Sequence, residues 1–132
     1  MATYDFTLAP APTTERLLEL WLQHAAGLII FEDVRGYALE RLGPNLDETA
    51  REIATKAIDD ARYGLMMVLD GVTGSLDNSE YRLGLKTEVY LKVKQTGEHV
   101  ASVDLSRGEG MCMGYHRWLE ADFGEEPIAI PK

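Results

Sequence analysis

A chain of 132 residues, 45% hydrophobic and 27% charged, has the size of one domain of about 100–150 residues and the balance of a folded rather than a disordered one. Its single cysteine, Cys112, excludes an internal disulfide, a redox pair and a zinc knuckle, and fits a reducing, cytoplasmic setting. The formal net charge is −9, with six basic and fourteen acidic groups in residues 1–80, five and three in 81–107, and two and five in 108–132. Only a thin middle segment is basic, so neither nucleic acid nor an anionic membrane is an expected partner.

Residues 1–12 lack the basic flank and apolar run of a signal peptide. No later stretch approaches the roughly 20 apolar residues of a membrane span. From Thr3 to Leu8 apolar and polar residues alternate as in a half-buried strand, which Pro10 and Pro12 end. Thr13 or Thr14 is a suitable cap for a helix carrying Leu17, Leu18, Trp21, Leu22 and Ala25, with Gly27 just past its end. A second helix is predicted from Leu28 to Leu42, although Leu28–Phe31 has equally the character of a buried strand; Gly43-Pro44 closes it. Asn45 and Glu48 resemble a capping box for a third helix. There Leu46, Ala50, Ile53, Ala54, Ala57, Ile58, Ala61, Leu65 and Val68 form an apolar stripe, opposed by a solvated face of Arg51, Glu52, Lys56, Asp59, Asp60 and Arg62. Its last turns, Gly64 to Leu69, are apolar all round and are expected to be buried.

Asp70 to Glu80 reads as a solvated loop, and it fails the ligand spacing of a calcium loop. The alternation from Tyr81 to Val93 describes one long strand with one wet face, followed by a second strand over His99–Leu105. Parity fixes the turn between them. A two-residue loop would place Asp104 opposite Val89, whereas a loop of Gln95, Thr96 and Gly97 pairs Val93 with His99, Leu91 with Ala101, Val89 with Val103 and Thr87 with Leu105, with Gly97 in the left-handed region. A glycine-rich stretch from Ser106 to Gly114 precedes a short helix around Tyr115, Trp118 and Leu119, and an acidic tail follows. The predicted fold is a single α+β domain over residues 1–132: a three- or four-stranded, mostly antiparallel sheet with a long hairpin in the C-terminal half, one face covered by three to four helices.

The chemistry-bearing candidates are few. His116 and Glu120 share a helix face at a spacing that suits a metal, but a site needs three or four ligands and the other histidines, His24 and His99, lie far away in sequence; a surface ion pair is the plainer reading. Met111, Cys112 and Met113 offer soft sulfurs, yet they fit irregular core packing better than copper. Cys112 with His116 as its base is the one nucleophile pair within reach. Arg107-Gly108-Glu109-Gly110 lacks the lysine and flanking strand of a phosphate loop and reads as a turn. Neighbouring carboxylates, as at Asp59-Asp60, diverge by about 100° on a helix and do not converge as acid and base. No metal or cofactor is expected.

Two function classes follow. The first is a protein-interaction or inhibitor module, immunity- or antitoxin-like, which uses an acidic surface against a partner that would be basic. The second is a small enzyme or ligand-binding domain using the 106–116 loop with Cys112, His116 and Glu120, which a pocket shared with His24 and Trp118 would favour. The length of the Tyr81–Val93 strand further points to a homodimer, unless a break at Gly84 folds its start back.

Overall fold

The computed structural model describes residues 1–108 and 110–132. The expected initial strand is shorter than its alternation suggests. Ala2–Asp5 form one helical turn (α1), and only Phe6–Leu8 are extended (β1). The Ala2 N–H donates to Asp33 Oδ1 at 2.7 Å, a long-range bond that draws the chain start onto the helices.

Helix α2 (Glu15–Ile30) starts after Thr14, as expected, but it does not stop at Gly27. It passes through a π-helical turn, Phe31–Gly36, into α3 (Tyr37–Arg41), so one continuous helical rod replaces the two predicted helices. The second expected helix is thereby confirmed as helical, and Gly43 with φ +72 ends it. Helix α4 (Glu48–Leu69) is capped by Asp47, whose carboxylate accepts the Ala50 N–H at 2.7 Å, and not by the Asn45 of the expected box. Its inward face also differs from the predicted stripe. Ile53 is 66% exposed and Ala57 and Ala61 are exposed, whereas the line Ile58, Arg62, Met66 turns inward with Arg62 and Met66 fully covered.

Among the described residues the strands form three separate two-stranded antiparallel ribbons, not one three- or four-stranded sheet. The fold is mixed α+β, as predicted. The run Tyr81–Val93 is broken: β3 (Arg82–Leu83) pairs with β2 (Leu76–Asp77), and the ladder resumes only at β4 (Glu88–Lys92). Asn78 causes the diversion, its side chain accepting the N–H groups of Glu80 and Tyr81 at 2.8 and 2.7 Å and folding the expected loop back as a tight ribbon. Strand β5 (His99–Asp104) pairs with β4 in the predicted register at Leu91·Ala101 and Val89·Val103, and the Leu105 N–H reaches the Thr87 carbonyl at 3.0 Å. At the open end His99 faces Lys92 instead of Val93, because one step along β4 answers two along β5. The loop therefore has four residues, Lys94–Gly97, closed by Val93 N–H to the Glu98 carbonyl at 2.8 Å, and Gly97 has the expected left-handed φ of +72. Helix α5 begins at Met111, four residues before Tyr115, and runs to Leu119; the acidic tail ends in β6 (Ala129–Pro131), a strand that its two prolines obscured and that pairs with β1.

Helix α2 is the hub, with the β4–β5 ribbon on one side and α5 on the other. Trp118, 1% exposed, lies against the backbones of both helices. A Cβ on Gly27 would stand 2.5 Å from Trp118 Cε2, and one on Gly114 closer still to the same ring. These glycines are seats for an indole. The indole N–H donates to His24 Nδ1 at 2.9 Å, which satisfies the buried donor. Around it pack Ala26, Met66, Leu105, Met111 and Tyr115.

Arg62 is the unexpected member of this core. Its guanidinium carbon stands 3.9 Å from the Phe31 ring centre and 4.7 Å from that of Tyr115. Asp59 Oδ1 lies 3.1 Å from Nη2 and also accepts from Arg35 Nε at 2.8 Å. The Arg62–Asp59 contact is close in distance, yet none of the three guanidinium nitrogens meets an acceptor in hydrogen-bonding geometry. Coulomb attraction and two ring faces hold the charge.

Both features make predictions. Gly27→Ala and Gly114→Ala force the indole to move and cost about 1–3 kcal/mol each, whereas Gly64→Ala, with no atom near its new methyl group, stabilises α4 by about 0.5–1 kcal/mol. Urea unfolding separates them, and equal midpoints for all three would unseat Trp118. Asp59, expected on the solvated face and so silent on removal, instead balances a buried cation. Asp59→Ala costs about 3 kcal/mol, and Arg62→Met, which removes the charge itself, costs about half as much or less; the opposite order in thermal melts refutes the assignment.

Candidate functional site

Helix α5 carries the predicted chemical group. Its N-terminus is capped from outside by Asp70, whose carboxylate accepts the Met111 N–H and, at 2.9 Å, the Cys112 N–H. Asp70, read in sequence as a loop residue, is thus a structural cap. It also governs the thiol. Burial, then the Asp70 carboxylate, push the Cys112 pKa above its ordinary value, against a weaker opposing hydrogen bond from Tyr63. The thiol is protonated at neutral pH, the wrong state for a nucleophile.

His116 makes no contact with the thiol among the described residues. The imidazole is exposed and lies edge-on to Tyr115, with ring centres 5.3 Å apart. Glu120 is the C-terminal cap of the helix, at φ −92 and ψ 12, and is exposed, as is His116. No hydrogen bond or ion pair among the described residues joins Cys112 to His116 or His116 to Glu120. The three sulfurs also separate, with Met111 fully buried, Cys112 half-buried and Met113 75% exposed. Met113 is therefore not the core filler that was expected. His99 is exposed on the β4–β5 ribbon. Among the described residues, no three His, Cys, Asp or Glu side chains are grouped to hold a metal ion. Within the glycine-rich loop Arg107 is exposed and Gly108 abuts Gln23; Glu109 lies outside the described residues.

Besides a hollow of about 200 Å³ between Arg16, Gln23, Arg107 and Gly108 and an open one of about 500 Å³ along Glu48, Arg51 and Lys56 of α4, two kinds of concave surface bear on the candidate sites. On the α2–α5 side, His24 separates a cleft of about 290 Å³, lined by Leu17, Trp21, Arg117, Phe123 and Glu125, from a cavity of about 120 Å³ bounded by Gln23, Gly110, Met113 and Trp118. The smaller one is the pocket that joins the loop to His24 and Trp118. It falls below the roughly 300–1,000 Å³ of small-molecule sites, and the larger only approaches that range. Their polar groups are also engaged: His24 Nδ1 by the Trp118 indole, and Arg117 by Asp122 at 3.2 Å. The Asp122 carboxyl is held below its ordinary pKa by the Gly124 N–H first and by Arg117 after it.

On the opposite side of α2 lies a larger feature, an open groove of about 540 Å³ between α2, α4 and β4. Ala26, Ile29, Leu65, Leu69, Val89 and Tyr90 line it, and among the described residues Glu88 is the only charged one in its walls. Next to it stands the β2–β3 ribbon. Every residue from 71 to 88 except Ser75 is exposed, including Leu76 and Leu85 at 77% and Tyr81 at 72%. Sequence reading missed the groove and foresaw the ribbon only in part, as the alternative of a break at Gly84 that folds the start of the strand back.

No protein-family model, no curated protein and no solved structure matches this chain. Among the described residues, no helix is long and apolar enough to cross a membrane.

The state of Cys112 is directly testable. In the folded protein its alkylation by iodoacetamide at pH 8 is at least tenfold slower than that of an unhindered thiol, and its rate climbs with pH through and beyond the ordinary thiol range. Rapid modification at neutral pH would restore the Cys112/His116 nucleophile.

Proposed function

We propose that this chain is a protein-interaction module, inhibitor-like in character, whose product is a surface rather than a reaction. The observation that carries this reading is the ribbon of residues 71–88, which presents Leu76, Tyr81, Leu83 and Leu85 to solvent, at least 64% exposed each, beside an open apolar groove. Contiguous apolar surface of this kind marks contact sites with other macromolecules. The surplus of acidic groups in residues 1–80 supports a second element of recognition, a basic partner protein drawn to the helices. The ribbon supports a homodimer, although not through the uninterrupted strand from which the sequence suggests one. The protonated, half-buried Cys112 suits a reducing, cytoplasmic site of action.

The alternative, an enzyme or ligand-binding domain built on residues 106–116, has the two clefts at His24 in its favour. It has less support, because its thiol is protonated and its imidazole points elsewhere. No metal or cofactor enters the proposed reading.

Immobilised wild-type chain and a Leu83→Ser/Leu85→Ser variant, both with intact folds by circular dichroism, are offered the lysate of the source cell. The wild type retains a polypeptide in near-stoichiometric amount, whether another protein or further copies of itself, and the variant retains at least tenfold less. High salt releases a basic partner. Equal retention by the two baits, or none by either, overturns the reading.

A further inference from the structure

The accessible surface of the described structure is 9271 Å². A compact monomer of 14.7 kDa exposes about 6,900 Å². The difference, roughly 2,300 Å², falls in the range of about 1,000–2,500 Å² that each partner buries in an obligate pair. Much of the excess is the ribbon arm. At roughly 100 Å² of apolar surface per large side chain, Leu76, Tyr81, Leu83 and Leu85 offer some 400 Å² per arm. Two such arms offer about 800 Å² together, and the surfaces that receive them add a further share toward the size of a specific interface.

From these features we infer that the arm, residues 71–87, seats in the groove between α2, α4 and β4 of a second copy of the chain, and that the second copy's arm returns to the groove of the first. This rests on the interaction reading above and names its partner. The arm does not cover its own groove: its apolar residues are exposed and the groove is open. Both of its ends, however, are at the groove. Leu69, where α4 delivers the chain to the arm, and Thr87, where the arm hands it on to β4, are lining residues. An arm rooted at the rim of the surface it fits is self-complementary. A two-fold axis beside the root then places each arm over the other copy's groove and closes the assembly at two.

The chemistry of the surfaces agrees. Leu76 and Leu83 are cross-strand partners in the ribbon, so their side chains share one face and enter a groove together. Charge distinguishes the occupant. Between residues 72 and 87 there are two acidic groups, Asp77 and Glu80, and two basic ones, Arg82 and Lys86, and Arg82 already pairs with Asp77 at 3.3 Å within the arm. A neutral arm offers nothing to a basic protein, and a groove with one carboxylate does not repel it. Two copies at −9 each can therefore meet through their least charged surfaces.

Light scattering of the full chain over a hundredfold dilution series tests the pairing. The expected mass is twice 14.7 kDa, falling toward one copy on dilution. Leu83→Ser/Leu85→Ser, which disables the arm, and Ile29→Asp, which disables the groove at a residue 47% exposed in the single copy, each give a single-copy mass with an unchanged circular dichroism spectrum. An equimolar mixture of the two variants restores one of the two arm–groove contacts, the intact arm of one in the intact groove of the other, and recovers paired chains at a higher concentration than wild type requires. A single-copy mass at every concentration of wild type, a pair that survives either variant, or a mixture that stays single overturns the inference. A single-copy mass with arm-dependent capture of a different polypeptide overturns the self-pairing and leaves the interaction module standing. With no arm-dependent association of any kind, both fall.

Discussion

The seating of Trp118 between two helices is the contact on which the rest of the molecule depends. An indole can lie this close to two helical backbones only where both present a glycine, and Gly27 and Gly114 are those positions. With α5 held there, Tyr115 brings one ring to the Arg62 guanidinium, and Phe31, at the start of the π turn, supplies the second. Phe123 stacks on the outer face of Trp118, nearly parallel at 8°, and brings in the tail that ends beside β1. Helix α5, the π turn and the terminal ribbon are thus placed by one side chain.

Around that centre the packing is uneven. The second cluster, Trp21, Leu22, Ala25 and Ile128, extends the core along α2 toward the β4–β5 ribbon; among the described residues no apolar side chain of the arm joins either cluster, whereas Ala26, Ile30, Leu69, Val89 and Leu105 tie the floor of the groove to the core. Small domains have little surplus hydrophobic burial to spare. Apolar groups left outside the core of such a domain are better explained by contact with another surface than by folding. The chemical groups show the opposite economy: the thiol, both tryptophan N–H groups and the α5 N-terminus each find a partner within the chain, Trp21 by donating to the Pro127 carbonyl at 2.9 Å.

How much of this was legible depends on whether a residue's role is local. Helix α4, the Gly43 stop, the Leu91·Ala101 register and the left-handed Gly97 follow from spacing and turn chemistry, and the structure has them. Gly27 was misread because a glycine near the end of an amphipathic run has two meanings, terminator or close approach, and only the position of Trp118, 91 residues later in the chain, distinguishes them. Arg62 was assigned to the wet face by its charge, although it stands four residues from both Ile58 and Met66, the spacing of a shared helix face. Two aromatic rings and Asp59 can hold such a cation in the core, and none of them announces this in sequence. The uninterrupted alternation from Tyr81 to Val93 failed as a guide because a ladder needs a partner strand at every step, and Asn78 supplies one to β3 that is different from the partner of β4. For the candidate site, the helix spacing of Cys112 and His116 was sound, but a spacing does not say which way an imidazole faces.

Asp70 has a further consequence. It is the residue at which α4 ends and the arm begins, and its carboxylate is also the cap of α5, whose last turns wall the clefts at His24. The mooring of the arm and the footing of α5 are therefore one side chain. A displacement that draws Asp70 away leaves two amide donors of α5 unanswered, so the free energy of moving the arm includes that of loosening the helix. Linkage of this kind runs equally in both directions. Whatever stiffens α5 from the cleft side narrows the freedom of the arm some forty residues away in the chain, and whatever grips the arm firms the walls of the cleft by the same factor.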